Sequence, residues 1–302
     1  EFRRVLFRSC DYSQAIPMLK RALEVREKKL GAEHPTTATS LCNLANAYLQ
    51  QAKYAYAEPL FSRALRIREK ALGDSHPDTA STLYSLCHIY LEQEDYALAE
   101  ASAKRALEIC EEVFGLNHDK TGSSLNLLAE IYRRQERYGE AEPLYARALE
   151  MGEKVLSPRT RVTICSNLAL LHKAKRRFGD AEWLMKQSLE LNEKILGPNH
   201  PDTAQSLSGL ALIHLDTGDY GKAEPLWRRA GDICERVLGP DHPQTIGKFE
   251  RLAHEAARRK EWSEAAALFD RCARGTRRHA ASILSVLTPD QQAAFKIGRA
   301  HV

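Results

Sequence analysis

Much of what catalysis requires is missing from these 302 residues. There is no G-x-S-x-G, no G-x-x-x-x-G-K-[ST] and no G-x-G-x-x-G, so neither an activated serine nor a glycine cradle for phosphate can be named. His254-Glu255-Ala256-Ala257-Arg258 begins like the zinc motif H-E-x-x-H, but arginine stands where the second imidazole must ligate. No apolar run approaches the roughly 20 residues of a membrane-spanning helix. Cysteine occurs seven times without one C-x-x-C pair, which removes the usual redox and zinc spacings. From this segment we expect no enzyme activity, no metal and no cofactor. The composition, 28% charged, is that of a cytoplasmic helical protein without a membrane partner.

An excess of charge is also missing once the two ends are set aside. Residues 4–9 and 297–302 read as translations of one oligonucleotide from opposite strands, so residues 1–9 and 296–302 are expected to be non-native tails of a fragment. The alternative is a basic amphipathic N-terminus or a targeting peptide. The tails hold five basic residues and one acidic, and without them the 44 basic and 40 acidic residues become 39 each. The nominal +4 vanishes, and with it the main argument for a nucleic-acid partner.

What the chain does have is a period. Tyr12, Tyr54, Tyr96, Tyr138, Phe178, Tyr220 and Trp262 recur at intervals of 42, 42, 42, 40, 42 and 42 residues, the mark of a repeat array. An Ala-Glu pair follows the aromatic (Ala57-Glu58, Ala99-Glu100, Ala141-Glu142, Ala181-Glu182, Ala223-Glu224), and glycine closes most copies at Gly31, Gly73, Gly115, Gly197 and Gly239. A first helix should open at His-Pro (His34, His76, His200, His242), because proline fits the first helical turn. Leu41, Leu44, Ala45 and Tyr48 then give it one apolar face. A second helix carries Ala57, Leu60, Phe61, Ala64, Leu65 and Ile67, and Gly73 is expected to stop it in a left-handed conformation. The period aromatics should wedge between the two helices as core. The recurring histidines are expected to act in loops and caps, and the cysteines at apolar helix positions to be buried thiols.

Leu41, Leu44, Ala45, Tyr48, Tyr54, Ala57, Phe61 and Ala64 resemble the tetratricopeptide repeat (TPR), in the 42-residue form found in kinesin light chains and many bacterial proteins. The resemblance spans residues 11–279 and implies an all-α, right-handed superhelical solenoid of antiparallel helix pairs. Its expected organisation is a half repeat at 10–31, repeats at 34–73, 76–115, 118–157, 158–197 and 200–239, and a divergent terminal repeat at 242–279. The copy at 158–197 is two residues short, and the last has Ala266 for Glu and Cys272-Ala273 for Ala-Leu, as a cap-like unit would. Residues 280–295 resemble the helical connector that precedes a caspase-like CHAT domain in bacterial TPR proteins.

The resemblance also implies a concave groove lined by the first helices, with Asn43, Asn46, Tyr84, His88, Asn126, Glu130, Arg133, Arg134, Asn167, Lys173 and Leu212 as candidate contacts. Asparagine can both donate to and accept from a peptide backbone. Arg133, Arg134, Lys173, Arg176 and Arg177 suggest a basic patch for acidic side chains; the alternative is a solvated charged face neutralised by Glu130, Glu136 and Asp180. The function expected is a scaffold that binds an extended peptide or partner segment. Alternatives are the sensor arm of a CHAT cysteine peptidase and a kinesin-light-chain-like cargo adaptor.

Overall fold

The computed structural model describes residues 12–286, and within them the chain is helices joined by tight turns, with no strand. In order they are α1 (Tyr12–Leu30), α2 (Pro35–Leu49), α3 (Tyr54–Leu72), α4 (Pro77–Glu92), α5 (Tyr96–Phe114), α6 (Asp119–Arg134), α7 (Tyr138–Glu150), α8 (Pro158–Ala174), α9 (Phe178–Leu196), α10 (Pro201–Asp216), α11 (Tyr220–Leu238), α12 (Pro243–Arg258) and α13 (Trp262–Val286). The chain divides into two compact units, on either side of Thr160 and Arg161. In the first unit α2, α4 and α6 pack on α3, α5 and α7, in the second α10 and α12 pack on α11 and α13, and α1, α3, α5, α9 and α11 each pack on the first helix that follows.

The joint between repeats is built from three residue types. The closing glycines Gly73, Gly115, Gly197 and Gly239 combine φ of 84–97° with ψ of 163–173°. That mirror-extended region is essentially glycine's alone, and it differs from the left-handed helical stop expected from sequence. The turn points each glycine carbonyl at a buried threonine in the following helix. Thr37, Thr79, Thr121, Thr203 and Thr245 donate their hydroxyls to the carbonyls of Gly31, Gly73, Gly115, Gly197 and Gly239 at 2.8–3.1 Å. The histidine before each of these helices is its N-cap. Nδ1 of His34, His76, His118, His200 and His242 accepts from the backbone N–H two residues on, at 3.1–3.2 Å. An imidazole accepting at Nδ1 has the lone pair of that nitrogen committed to the cap.

Successive second helices are tied by arginine and glutamate 36 residues apart. Arg63 meets Glu27, Arg105 meets Glu69 and Arg147 meets Glu111 in the first unit. In the second unit Arg229 meets Glu193 and Arg271 meets Glu235. Each pair is partly exposed and contributes at most about 1 kcal/mol. Polar side chains also reach across joints: Arg68 donates to the Asp78 carbonyl at 2.8 Å, and Asn192 to Ser206 Oγ at 2.9 Å.

A second sequence expectation needs correction. The period aromatics Tyr54, Tyr96, Tyr138, Phe178 and Tyr220 are half-buried and Trp262 is exposed, so they are not the core wedge. The residue seven positions later fills that place, as Phe61, Tyr145 and Trp227 show. It lies two turns further along the helix, on the side that the next repeat covers. The shortened copy is accommodated inside the first unit. α7 stops after 13 residues, and Leu156 from the following turn packs against Gly122, where an added Cβ would sit 2.5 Å from Leu156 Cδ2. Ala38 and Ala80 hold the corresponding place elsewhere, so the glycine makes room for the leucine.

The thiols follow expectation. Cys87, Cys110, Cys165, Cys234 and Cys272 are buried and free, and Cys42 is half-buried. Burial pushes the Cys87 thiol up to about 12, so it holds no nucleophilic thiolate at neutral pH. Cys10 lies outside the described residues, as do both expected tails. α13 runs through residue 279 to Val286, and the remainder of the expected connector lies outside the described residues.

Candidate functional site

In the first unit the first helices α2, α4 and α6 present the predicted residues, and α4 packs directly on α6. Asn46, His88 and Glu130 occupy one repeat position, 42 residues apart. Asn43, Asn46 and Tyr84 are half-buried, His88 is exposed and Asn126 is buried. Helix spacing explains the pattern: these positions lie beside the apolar stripe, at its solvent edge. The Asn43 and Asn46 amides have no hydrogen-bond partner among the described residues. The Tyr84 ring meets His88 edge-on at 4.9 Å.

Charges on α6 are committed to one another. Glu130 accepts from Arg133 Nε and Nη2 at 2.7 Å, from Arg134 Nε at 3.0 Å and from the Tyr145 hydroxyl at 3.2 Å. Arg134 also reaches Glu92 at 3.3 Å. Burial alone would raise the Glu130 carboxyl, but the two arginines outweigh it and hold it below the ordinary glutamate range. Burial of Tyr145 over this carboxylate pushes the phenol up. Crowding by protein lowers the His88 imidazole, with Arg134 acting in the same direction against Glu92 and Glu130. The cluster therefore holds a neutral imidazole and a balanced set of charges.

This arrangement carries a pH signature. A carboxyl depressed by folding contributes stability above its unfolded value and loses that contribution as pH falls through its folded one. Glu130→Gln is expected to cost about 1–2 kcal/mol at pH 7. The difference from wild type should close below the ordinary glutamate value of about 4.3, as read from urea midpoints across pH.

In the second unit Asn167 and Lys173 are half-buried on α8, and Lys173 pairs with Asp216 at 2.8 Å. Arg177 lies 3.7 Å from Asp180 and also contacts His172, while Arg176 sits exposed at a turn with φ of 59°. Leu212 on α10 packs against the core around Trp227. Of the five predicted basic residues, Arg133, Arg134, Lys173 and Arg177 thus each meet a carboxylate within their own unit. Among the described residues no group of three His, Cys, Asp or Glu could hold a metal, and no helix is long and apolar enough to cross a membrane.

Sequence reasoning overlooked the threonine-glycine joint and the arginine-glutamate ladder. Both were detectable as recurrences: threonine three residues after each capping histidine, and Arg following Glu by 36 residues.

The sequence model described as tetratricopeptide repeat matches residues 4–70, 51–112, 78–154, 161–230 and 204–278. No curated protein matches the chain. Among solved structures, BtubC (BKLC) from P. vanneervenii is similar at 23% identity, covering 76% of this chain and 93% of that one, with a TM-score of 0.60. The nearly identical TPR-like repeats of the kinesin light chain ascribed to Podosopora anserina are similar at 22% identity, covering 68% and 98%, with a TM-score of 0.54. The apo quorum sensor NprR from B. thuringiensis shares the fold at 13% identity over 91% and 85%, with a TM-score of 0.60.

Proposed function

The chain belongs to the tetratricopeptide repeat family, and from that premise we propose that its first-helix faces hold an extended segment of a partner protein. The observation that carries this reading is the pair of half-buried amides at Asn43 and Asn46, which have no partner among the described residues and flank the Tyr84–His88 edge pair by one repeat. Unpaired amides at the solvent edge of a packed helix offer both hydrogen-bonding senses to an extended backbone. The paired arginines favour a segment recognised through its main chain and uncharged side chains over one selected for acidity, since a carboxylate ligand would have to compete with Glu130 and Glu92.

The test is peptide-display selection on the full chain, followed by fluorescence anisotropy with a selected peptide. Asn43→Ala with Asn46→Ala is expected to weaken binding about tenfold or more, the worth of two hydrogen bonds, without changing the far-UV circular dichroism. Equal binding by the double variant would remove the groove reading. A uniform advantage of acidic peptides over their charge-reversed counterparts would restore the basic-patch expectation.

A further inference from the structure

α13 is unlike the other second helices. In earlier repeats the residue seven positions into the second helix is sealed by the next first helix: Phe61 clusters with Leu86 and Ile89, and Trp227 with Phe249, Leu252 and Ala253. Each of those two rings is 1% exposed. Their counterpart on α13, Phe269, is 38% exposed, with His254 edge-on to its ring at 5.0 Å. Trp262, 66% exposed, and exposed Ala266 and Ala273 lie at i−7, i−3 and i+4 from it, completing one apolar stripe.

Two substitutions in this repeat add to that apolar character or reverse a charge. Ala266 replaces the glutamate of the other Ala-Glu pairs, although a solvated end unit is expected to carry a polar outer face. Arg277 occupies the place of Glu27, Glu69, Glu111, Glu193 and Glu235 in the ladder, and it has no partner among the described residues. Nor does the repeat grammar supply its own cover. Ala281 stands in place of the closing glycine, Leu287 in place of the buried threonine, and α13 continues for 25 residues where α11 has 19.

We propose that the Trp262–Ala266–Phe269–Ala273 stripe docks an amphipathic helix of a partner protein, with leucine-type residues at i, i+3, i+4 and i+7 and an acidic first turn. Two observations choose this occupant. The corresponding face of α3 is covered by α4, a helix of that pattern whose first-turn Asp78 lies 3.7 Å from Arg68 of α3. On α13 the adjoining charge is Arg277, which repels the arginine that would extend the ladder and attracts a carboxylate.

The probe is a fluorescein-labelled peptide of residues 77–92, titrated against the full chain by anisotropy. Saturable binding is expected, weakened about tenfold or more by Phe269→Glu, as for loss of a central anchor, and several-fold by Arg277→Glu at low salt. Asn43→Ala with Asn46→Ala should leave it unchanged, which separates this surface from the groove. Because Phe269 is already solvent-exposed the variant should keep its helix content, and Trp262→Ser serves as a second disruption should it unfold. Absent binding, or equal binding by both disruptions, would overturn the proposal. So would a dimer dissociated by Phe269→Glu, which makes a second copy the occupant, or binding seen only after residues 287–302 are deleted, which makes the chain's own tail the cover.

Discussion

Replacing Gly231 with leucine is expected to destabilise the second unit by about 3 kcal/mol, and adding Phe249→Leu to bring it back to within about 1 kcal/mol of wild type. The reason is a volume exchange across one joint. Other repeats place leucine at both positions, as Leu65 packs with Leu83 and Leu189 with Leu207. Here the second helix has given up its side chain and the next first helix has grown a ring. A Cβ built on Gly231 would lie 2.9 Å from Phe249 Cζ, and the ring is buried on its far side among Trp227, Leu252 and Cys272. It cannot withdraw without opening a cavity. A neighbouring site repeats the exchange, with Gly275 facing Ile246 where other copies pair a larger residue with alanine. Urea denaturation of the two single variants and the double variant checks the claim. A double variant no more stable than Gly231→Leu alone would show that the two residues do not share one space.

Gly73→Ala should cost about 2–3 kcal/mol, although nothing lies within 4 Å of the added methyl. The cost is entirely in the backbone, held at φ of 97° and ψ of 163°. Relaxing it would swing the carbonyl away from Thr79 and leave a buried hydroxyl unpaired. Gly247→Ala gives the contrast. It too has open space, but it lies in the interior of α12, where alanine is favoured by about 1 kcal/mol. Thermal melts of the pair should therefore move in opposite directions from the same chemical change.

The helix pairs were legible because period, proline and glycine act locally. Pro35, Pro77, Pro201 and Pro243 each begin a helix as their fixed φ requires, and the apolar stripe of α2 is buried. The aromatic of the period was misread because recurrence marks a position without saying how deep it lies. Tyr54 opens a helix at the surface, and depth belongs to Phe61, whose successors vary from alanine to tryptophan and so hide from a search for identity. At the candidate site, placement on first helices could be read from spacing, but the state of its charges could not. That Arg133 and Arg134 converge on Glu130 depends on rotamers and on a tyrosine rising from the second helix, which sequence spacing does not encode.

The glycine-threonine joint also bears on how such an array can be cut and recombined. A piece running from histidine to glycine looks like the natural module, yet both of its ends pass through a joint and would part a carbonyl from its hydroxyl donor. The turns inside each pair, at Ala52, Glu94, Glu136 and Gly218, carry a left-handed residue and no glycine–threonine joint. Crossovers placed there would move each second helix together with the first helix that follows it. The unit of exchange is then offset by half a repeat from the unit of sequence similarity.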